Sequence, residues 1–373
     1  MQASNNISQA QLDDMMASII QRIATGPDLS KDIEMEEARL GMHAMLEEAV
    51  DPVRSAIFLI ALRMKRETRE ENRGVLQAIL DHTDRVTAEV DEVIDIADPY
   101  DGYNRTIPAS PFLAPLLAEY GLNLVTHGLD AVGPKYGITH RHVMQAAGVN
   151  VDLSTREAAD RLSDGSLGWS YVDQARFAPK LHDLVHLRHK MIKRSVLTTV
   201  EVLAKPITGR LKTHFMTGYV HKPYPPVYAD LARLAGFDSA VLVRGVEGGV
   251  IPSLRQAGKY FGYHDLGEEI GHDIAPTDVG VQQEARCVPI PEDVPQTAKG
   301  EGAITVTDVP VAARKAAELG MAALGGRKGT TYDSLVYSGA VLLHHLGKVD
   351  SLAEGAEALR AVLDSGKAAS RVR

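Results

Sequence analysis

Apolar residues recur with a helical period along roughly the first 90 residues of the chain. Residues 33–50 are dense in Glu, Met, Ala and Leu at this spacing, which predicts a helix. Residues 51–65 start with an aspartate N-cap and a proline, and the segment that follows is so apolar that we expect most of its surface to be buried. Thr68 and Glu71 have capping-box spacing and predict a further helix over residues 69–80.

After residue 84, short apolar runs typical of strands alternate with helical segments. The strand candidates are residues 93–96, 122–126, 213–220 and 240–244. The helix candidates are residues 111–120, 140–147, 227–235, 309–324, 333–346 and 352–364. This alternation predicts an α/β fold with a mostly parallel sheet covered by helices on both faces. Residues 265–302 are polar and rich in proline, which indicates long loops or an irregular excursion.

The composition is that of a soluble globular protein, because 45% of the 373 residues are hydrophobic and 24% are charged. This length allows two domains at roughly 150 residues each. Cys287 is the single cysteine, which excludes an intramolecular disulfide and favours a cytoplasmic location. No apolar run approaches the ~20 residues that span a bilayer, and the first residues lack a signal-peptide pattern, so we expect no membrane partner.

Positive charge is concentrated in one segment of an acidic chain. From Arg176 to Lys212 there are nine Lys and Arg and two acids, a local charge of +7, whereas the whole chain carries −9. Such a patch attracts phosphate or carboxylate groups. A solvated basic helix face explains the pattern equally well. Aromatic residues make up only 5% of the chain, which argues against extensive base stacking.

Five short segments resemble a known family. They are AIFLIALRMKRET (56–68), GLNLVTHG (121–128), AGVNVDLS (147–154), DSLAEG (350–355) and DSGKA (364–368). In this order they resemble the anthranilate phosphoribosyltransferase family (glycosyltransferase family 3), whose fold is shared with the pyrimidine nucleoside phosphorylases. The resemblance spans residues 29–372.

The resemblance implies a small all-helical domain and a larger α/β domain with a cleft between them. The helical domain would comprise residues 1–90 with a returning segment near 190–210, and the α/β domain residues 91–189 and 211–373. In this family the helical domain forms a homodimer interface. Its members displace pyrophosphate from phosphoribosyl pyrophosphate (PRPP) with the amine of anthranilate, and carboxylates hold magnesium.

On the acceptor side, the resemblance assigns carboxylate binding to His182, Arg188 and Arg194. The family places a histidine six residues before an arginine, as His182 and Arg188 are here. An arginine can hold a carboxylate with two parallel hydrogen bonds. A capped or core histidine and a salt bridge from Arg188 to the helical domain stay open as alternatives.

On the phosphate side, the resemblance is weaker. Residues 98–105 stand where the family has a glycine-rich loop, and Pro99 cannot donate an N–H group to a phosphate there. The residues that the resemblance still assigns to phosphate and ribose are Asp101, Gly102, Arg105, Ser110, His127, Gly128 and Lys135.

Magnesium binding is doubtful, because Val250 and Ile251 replace the adjacent Asp–Glu pair of the family and neither has an oxygen ligand. Glu247 is the nearby carboxylate, but it is not at the aligned position. The histidine pairs His140/His142 and His344/His345 have no third ligand at a recognisable spacing, so we predict no metal site there.

The turn at residues 244–248 and the Pro99-Tyr-x-Gly stretch resemble a divergent branch of the family that lacks the biosynthetic activity. The resemblance implies a basic groove across the dimer that binds single-stranded nucleic acid. The residues assigned to this groove are Arg188, Lys190, Lys193, Arg194, Lys205, Arg210 and Lys212. No catalytic residue is assigned.

Two other functions stay open. The first is an active pentosyltransferase that joins a phosphoribosyl or ribosyl phosphate to an aromatic or small carboxylate acceptor, with His182 and Arg188 on the acceptor. In that case His127 could take part in proton transfer. The second is a scaffold without catalytic activity that binds a protein partner.

Overall fold

The computed structural model describes residues 8–26, 28–297 and 306–373. Its helices are α1 (Gln9–Ile23), α2 (Met35–Leu46), α3 (Pro52–Lys65), α4 (Arg69–Asp81), α5 (Leu113–Tyr120), α6 (His140–Ala146), α7 (Thr155–Ser163), α8 (Gln174–Phe177), α9 (Pro179–Asp183), α10 (Val185–Met191), α11 (Leu197–Val200), α12 (Tyr224–Leu234), α13 (Val309–Leu324), α14 (Thr330–His345) and α15 (Leu352–Asp364). Its strands are β1 (Val86–Thr87), β2 (Glu92–Ala97), β3 (Leu124–Gly128), β4 (Trp169–Asp173), β5 (Ile207–Thr208), β6 (Lys212–Tyr219), β7 (Ser239–Arg244), β8 (Gly258–His264), β9 (Ile270–Ile274), β10 (Gln296–Thr297) and β11 (Val306–Thr307).

The main sheet has the strand order β4-β3-β2-β6-β7-β8-β9. The strands from β4 to β7 are parallel, and β8 and β9 extend the sheet antiparallel. Along the chain, strands are first added on one side of β2 and then, from β6 onward, on its other side. The carboxyl ends of β2 and β6 therefore meet where the strand order reverses, which is where open α/β sheets bind ligands.

Alternate residues of the strands face two hydrophobic cores. Val93 and Ala97 of β2 pack in a core shared with the helices α1–α4 and α8–α11. Ile94 and Ile96 pack in the opposite core, which contains α5 and α13–α15. The predicted α/β fold, with a helical N-terminal part and a mostly parallel sheet, is therefore confirmed.

The helix starts were predictable because they depend on local capping. The Asp51 side chain accepts a hydrogen bond from the backbone amide of Val53 at 2.8 Å. Thr68 and Glu71 form the reciprocal capping box at the start of α4.

The chain passes to the main sheet once after the helices α1–α4 and once after the helices α8–α11. At these two places β1 and β5 pair in parallel, so the two connections lie side by side. The exact domain limits stay a prediction.

The pattern missed α7, β4, β8 and β9. The residues of β9 before Ile274 are exposed, and β9 pairs with β8 alone, so its extended conformation follows from pairing and not from an apolar pattern. Residues 265–302 were predicted to be irregular, but β9 lies within this stretch and β8 ends just before it. Residues 298–302 of that stretch lie outside the described residues.

Helix α3 is less buried than its composition suggested. Val53 and Met64 are 66% and 72% exposed. Ile57 and Ile60 are half-buried and lie at helical spacing between them, which gives α3 an apolar outer face.

None of the helices in the described ranges combines the length and hydrophobicity needed to cross a membrane.

Candidate functional site at the carboxyl ends of β2 and β6

A cavity of about 750 Å³ opens where β2 and β6 end. The loops after β2, β6 and β7 form one wall, and α3, α11 and α12 contribute to the other. The acids that line the cavity are Asp101 and Glu247. Its arginine and lysine side chains are Arg63, Arg105, Lys135, Arg194 and Arg286.

The carboxylate of Glu247 lies on the loop that follows β2. It accepts hydrogen bonds from the backbone amides of Asn104 (3.2 Å) and Arg105 (2.8 Å) and from the hydroxyl of Thr106 (3.1 Å). The ammonium of Lys135 is 3.9 Å from the same carboxylate. Converging amides and hydroxyls of this kind also bind phosphate. The loop is thus an anion-binding site that a side chain of the same chain occupies.

Glycines hold the turn that carries Glu247. A Cβ atom on Gly245 would lie 1.6 Å from the carbonyl oxygen of Gly249, and one on Gly218 would lie 1.9 Å from that oxygen. The turn can therefore pack directly on the end of β6. Glu247 itself has a φ of 53°, a conformation that costs a non-glycine residue on the order of 1 kcal/mol. Close packing of the turn thus keeps Glu247 over the loop.

Asp101 contacts two other predicted site residues at the cavity. The Nε and Nη2 atoms of Arg194 lie 3.1 and 2.7 Å from its Oδ2 atom, and the Lys135 ammonium is 3.2 Å from Oδ1. Lys135 also donates a hydrogen bond to the carbonyl oxygen of Gly102 at 2.8 Å. Arg105 lines the cavity and is exposed. Asp101, Gly102, Lys135, Arg105 and Arg194 are therefore brought together.

Both aromatic side chains and arginines line this cavity. Tyr224 and Tyr228 of α12 have ring centroids 5.9 Å apart, and His221 is 6.3 Å from Tyr224. Arg105 and Arg286 are exposed and form no ion pair within the part of the chain that the structure describes. The cavity therefore retains positive charge beside flat ring surfaces.

Three predicted phosphate-side residues lie beneath the cavity surface. His127 and Gly128 end β3, Ser110 starts a short 3-10 helix, and all three are buried. Burial and nearby acids raise the pKa of Tyr100, so its phenol keeps its proton and donates to Nδ1 of His127. The Nε2 atom of His127 then donates to Asp95 at 2.7 Å. His127, Gly128 and Ser110 are thus engaged within the protein, and their contact with a phosphoribosyl group stays a prediction.

Ser110 belongs to a buried network around Asp98. That carboxylate accepts hydrogen bonds from Ser110, from the hydroxyl of Tyr103 (2.6 Å), from Nε2 of His140 (2.9 Å) and from the amide of Val250 (3.0 Å). Burial alone would raise the pKa of Asp98, but His140 and the two hydroxyls lower it below its ordinary value. These contacts hold the loop after β2 against the sheet, while the Nδ1 atom of His140 is buried without a hydrogen-bond partner in the described structure.

The residues present do not fit a magnesium ion. Val250 and Ile251 are buried in the second hydrophobic core and have no oxygen in their side chains. The carboxylates of Asp101 and Glu247 already contact Lys135, and Asp101 also contacts Arg194. A hard cation would need oxygen ligands that this cavity does not leave free.

Arg188 is engaged within the protein and does not line the cavity. It is 4% exposed, and its Nη1 and Nη2 atoms donate to Glu201 at 2.6 and 2.7 Å. This buried pair uses the two parallel bonds that an external carboxylate would need. An external carboxylate or phosphate could bind Arg188 only by displacing Glu201, and its assignment to a ligand stays a prediction. His182 is half-buried and does not line the cavity either.

Lys205 is also buried, although the sequence assigned it to a nucleic-acid surface. It is 6% exposed, its ammonium donates to the carbonyl oxygen of Gly236, and it lies 4.8 Å from the ring centroid of Phe237. Its ammonium is therefore engaged within the protein, and its contact with nucleic acid stays a prediction.

The rest of the basic segment is partly neutralised at the surface. Arg210 pairs with Asp91 at 2.7 Å, and Lys212 lies 3.3 Å from Asp265. Lys190 and Lys193 are exposed and have no ion pair among the described residues. The local charge of the sequence therefore overstates the positive charge that an external ligand meets.

Sequence reasoning missed several residues of this cavity. Glu247 was noted only as an unaligned carboxylate, and Arg63, Tyr224, Tyr228 and Arg286 were not considered. The i, i+4 pair of tyrosines in a helix after a strand was the available signal for α12. Nothing in the sequence pattern brings Arg286 to the cavity.

Comparisons with known proteins agree with this architecture. Residues 17–83 match a family model described as the helical bundle domain of a glycosyl transferase family. An uncharacterized protein of Aquifex aeolicus is 27% identical over 346 residues, which are 92% of this chain and 97% of that protein. An anthranilate phosphoribosyltransferase of Novosphingobium aromaticivorans is 25% identical over 342 residues, with 92% of this chain and 95% of that protein covered.

Two solved structures resemble the fold. The anthranilate phosphoribosyltransferase of Thermus thermophilus has a TM-score of 0.68 at 22% identity, with 96% of this chain and 97% of that chain covered. The Saccharomyces cerevisiae enzyme in complex with PRPP and Mg has a TM-score of 0.77 at 16% identity, with 99% and 97% covered.

Burial of Lys205 predicts a specific pH dependence of stability. Burial lowers its pKa from 10.5 to about 8 in the folded protein. Between these values the unfolded chain holds a proton that the folded protein has lost, so the free energy of unfolding should gain a positive slope with pH. We expect Lys205→Met to remove this contribution in urea unfolding measured from pH 8 upward. The exposed Lys193→Met is the matched control, and equal slopes in both variants would contradict the assignment.

Proposed function

The chain belongs to the anthranilate phosphoribosyltransferase family, and on that premise we propose that it binds phosphorylated ligands without making phosphoribosylanthranilate. Its preferred ligand on this proposal is single-stranded nucleic acid. The observation that carries the first part is the Glu247 carboxylate on the amides of the loop after β2. A diphosphate could use these amides only by displacing that side chain.

Two further features support the loss of anthranilate transfer. Val250 and Ile251 offer no ligand for the magnesium that accompanies PRPP in the family. Glu201 already occupies the guanidinium of Arg188, which would otherwise anchor the carboxylate of anthranilate. Loss of one electrostatic stabiliser typically lowers a rate by about 10²–10³, so loss of several removes useful turnover.

The remaining charge and the aromatic wall support nucleic-acid binding. Arg105 and Arg286 are free of ion pairs in the described ranges and can neutralise phosphates. Tyr224 and Tyr228 present neighbouring rings in the same cavity, and base stacking on such rings contributes about 1–3 kcal/mol per base. A single-stranded segment would thus meet cations and stacking surfaces together.

An active pentosyltransferase with a different acceptor is the second candidate. The cavity of about 750 Å³ at the switch point has the size of a small-molecule site, which favours this alternative. Asp101, Lys135 and Arg194 would then contact the pentose or the acceptor. Product formation from PRPP and a carboxylate acceptor without magnesium would support this second function.

Replacing Glu247 tests whether its carboxylate keeps an external phosphate away from the loop after β2. We expect Glu247→Ala to bind inorganic pyrophosphate at least about tenfold more tightly than the wild type, because the change removes a negative charge and frees two amides. Glu247→Gln should fall between them, since its neutral amide still occupies the loop. Isothermal titration calorimetry with pyrophosphate and with PRPP, each with and without magnesium, measures the effect.

The exposed Glu284→Gln is the control for altered net charge in that experiment. Equal pyrophosphate affinity in the wild type and in Glu247→Ala would show that Glu247 does not block anion binding at the loop after β2. Steady production of phosphoribosylanthranilate by the wild type from PRPP, magnesium and anthranilate would overturn the proposed function itself.

Nucleic-acid binding predicts a salt-dependent affinity that depends on two arginines. We expect Arg105→Ala and Arg286→Ala each to reduce the slope of log affinity against log salt by about 1. Filter binding of labelled single-stranded oligonucleotides at about 50 and about 200 mM salt gives this slope. Arg210→Ala serves as control, because Arg210 is already paired with Asp91. Absence of retention at the lower salt concentration would rule out this ligand.

The apolar outer face of α3 supports the proposed homodimer through the helical part. Val53 and Met64 lie exposed on one side of this helix. We expect Val53→Lys combined with Met64→Lys to shift the mass in light scattering from a dimer to the 40.3 kDa monomer, because buried charges destabilise an apolar interface. Leu211→Lys changes an equally exposed residue elsewhere and should not alter the mass. A monomeric wild type would refute the dimer.

A further inference from the structure

We propose that His43, Glu47 and His82 bind a divalent transition-metal ion such as Zn²⁺. None of the three residues lines the cavity described above. One nitrogen or oxygen atom of each residue lies within 4.8 Å of those of the other two, and the three residues form the one such group found among the described residues. The proposal concerns a site independent of the anion-binding loop.

Two packed helices bring the three side chains together. His43 lies in the last turn of α2 and Glu47 follows at its C-cap, so the two are one helical turn apart. His82 is the C-cap of α4, which packs against α2, and its ring centroid is 4.8 Å from that of His43. The side chain of His82 is only 9% exposed, so packing already fixes its ring.

The hydrogen bonds of His82 direct its Nε2 atom toward Glu47. Its Nδ1 atom is 2.8 Å from the carbonyl oxygen of Ala78, which can only accept, so Nδ1 carries the proton. In a neutral ring the lone pair of Nε2 then faces the Glu47 carboxylate at 2.9 Å. Two acceptors at this distance need either a second proton on the ring or a metal ion. Metal-bound histidines commonly donate a hydrogen bond from their other ring nitrogen to a backbone carbonyl oxygen. The Nδ1 atom of His82 has such a partner in Ala78.

The ligand types select the metal. Two imidazoles and one carboxylate form a ligand set used for Zn²⁺, with a fourth position left for water. Magnesium and calcium prefer oxygen ligands alone, whereas Ni²⁺ and Cu²⁺ also bind imidazole. His43 and Glu47 are exposed, so an ion from solution can reach the site.

Lys180 of α9 competes with the ion. Its ammonium is 2.6 Å from Oε1 of Glu47, the same oxygen that faces His82. A bound dication would repel this ammonium, and Lys180 is exposed enough to turn away into solvent. Metal binding would therefore break a contact between α2 and α9.

Zinc titration of the full-length protein tests the proposal. We expect one Zn²⁺ per chain in competition with a chromophoric chelator, and His43→Ala and His82→Ala should each weaken the affinity at least about tenfold. Glu47→Gln should also weaken it, whereas Lys180→Met should tighten it because a competing cation is gone. His186→Ala removes an exposed histidine of α10 and should change nothing.

A second measurement separates lost ligands from lost folding. Unfolding of the metal-free variants should show that His43→Ala remains folded, since His43 is exposed. Zinc should raise the melting temperature of the wild type but not that of His43→Ala. Absence of zinc binding by the wild type at millimolar metal, or equal affinity in the wild type, His43→Ala and His82→Ala, would overturn the proposal.

Discussion

The hydrogen bonds between Glu247 and the loop after β2 determine how the cavity can be used. Backbone amides at such a loop favour an anion, and in this chain the anion is a side chain that is always present. The effective concentration of a tethered carboxylate is high, so an external phosphate binds there only at the expense of these bonds. Because Gly218 and Gly245 allow the turn to pack without space for a Cβ, Glu247 cannot easily move aside. On the proposed function, both the packing of this turn and the charge of Glu247 disfavour an external phosphate at this position.

The same principle recurs at the other predicted anion site. Glu201 holds both terminal nitrogens of Arg188 in a buried pair. Removing either partner would leave the other charge buried without compensation, which costs several kcal/mol, so the pair resists opening for a ligand. Asp98 and His127 likewise form hydrogen bonds with buried side chains beneath the cavity. The chain has the overall architecture of the family, but its own side chains complete the polar groups at these positions.

Positive charge remains at arginines that have no acidic partner among residues 8–26, 28–297 and 306–373. Arg105 and Arg286 lie at the cavity beside Tyr224 and Tyr228, at the reversal of strand order between β2 and β6. A ligand at this position gains electrostatic attraction and ring contacts without opening a buried ion pair. This difference between free and paired cations is the physical reason for favouring an extended phosphorylated ligand over a magnesium-bound diphosphate.

The helix starts at Pro52 and Arg69 and the alternation of helices and strands follow from the sequence alone. The sequence also contains the motifs whose family resemblance predicts the fold. Capping and periodicity involve residues that are near in sequence, so they can be read from it. The tertiary structure alone decided that Arg188 and Lys205 are buried, and that Glu247 reaches a loop more than a hundred residues before it. Those outcomes depend on contacts between separate elements: Arg188 pairs with Glu201, Lys205 donates to the carbonyl oxygen of Gly236, and Glu247 accepts from the loop after β2. Whether a charged residue faces a ligand or a partner in its own chain is a property of long-range packing, which neither composition nor spacing specifies.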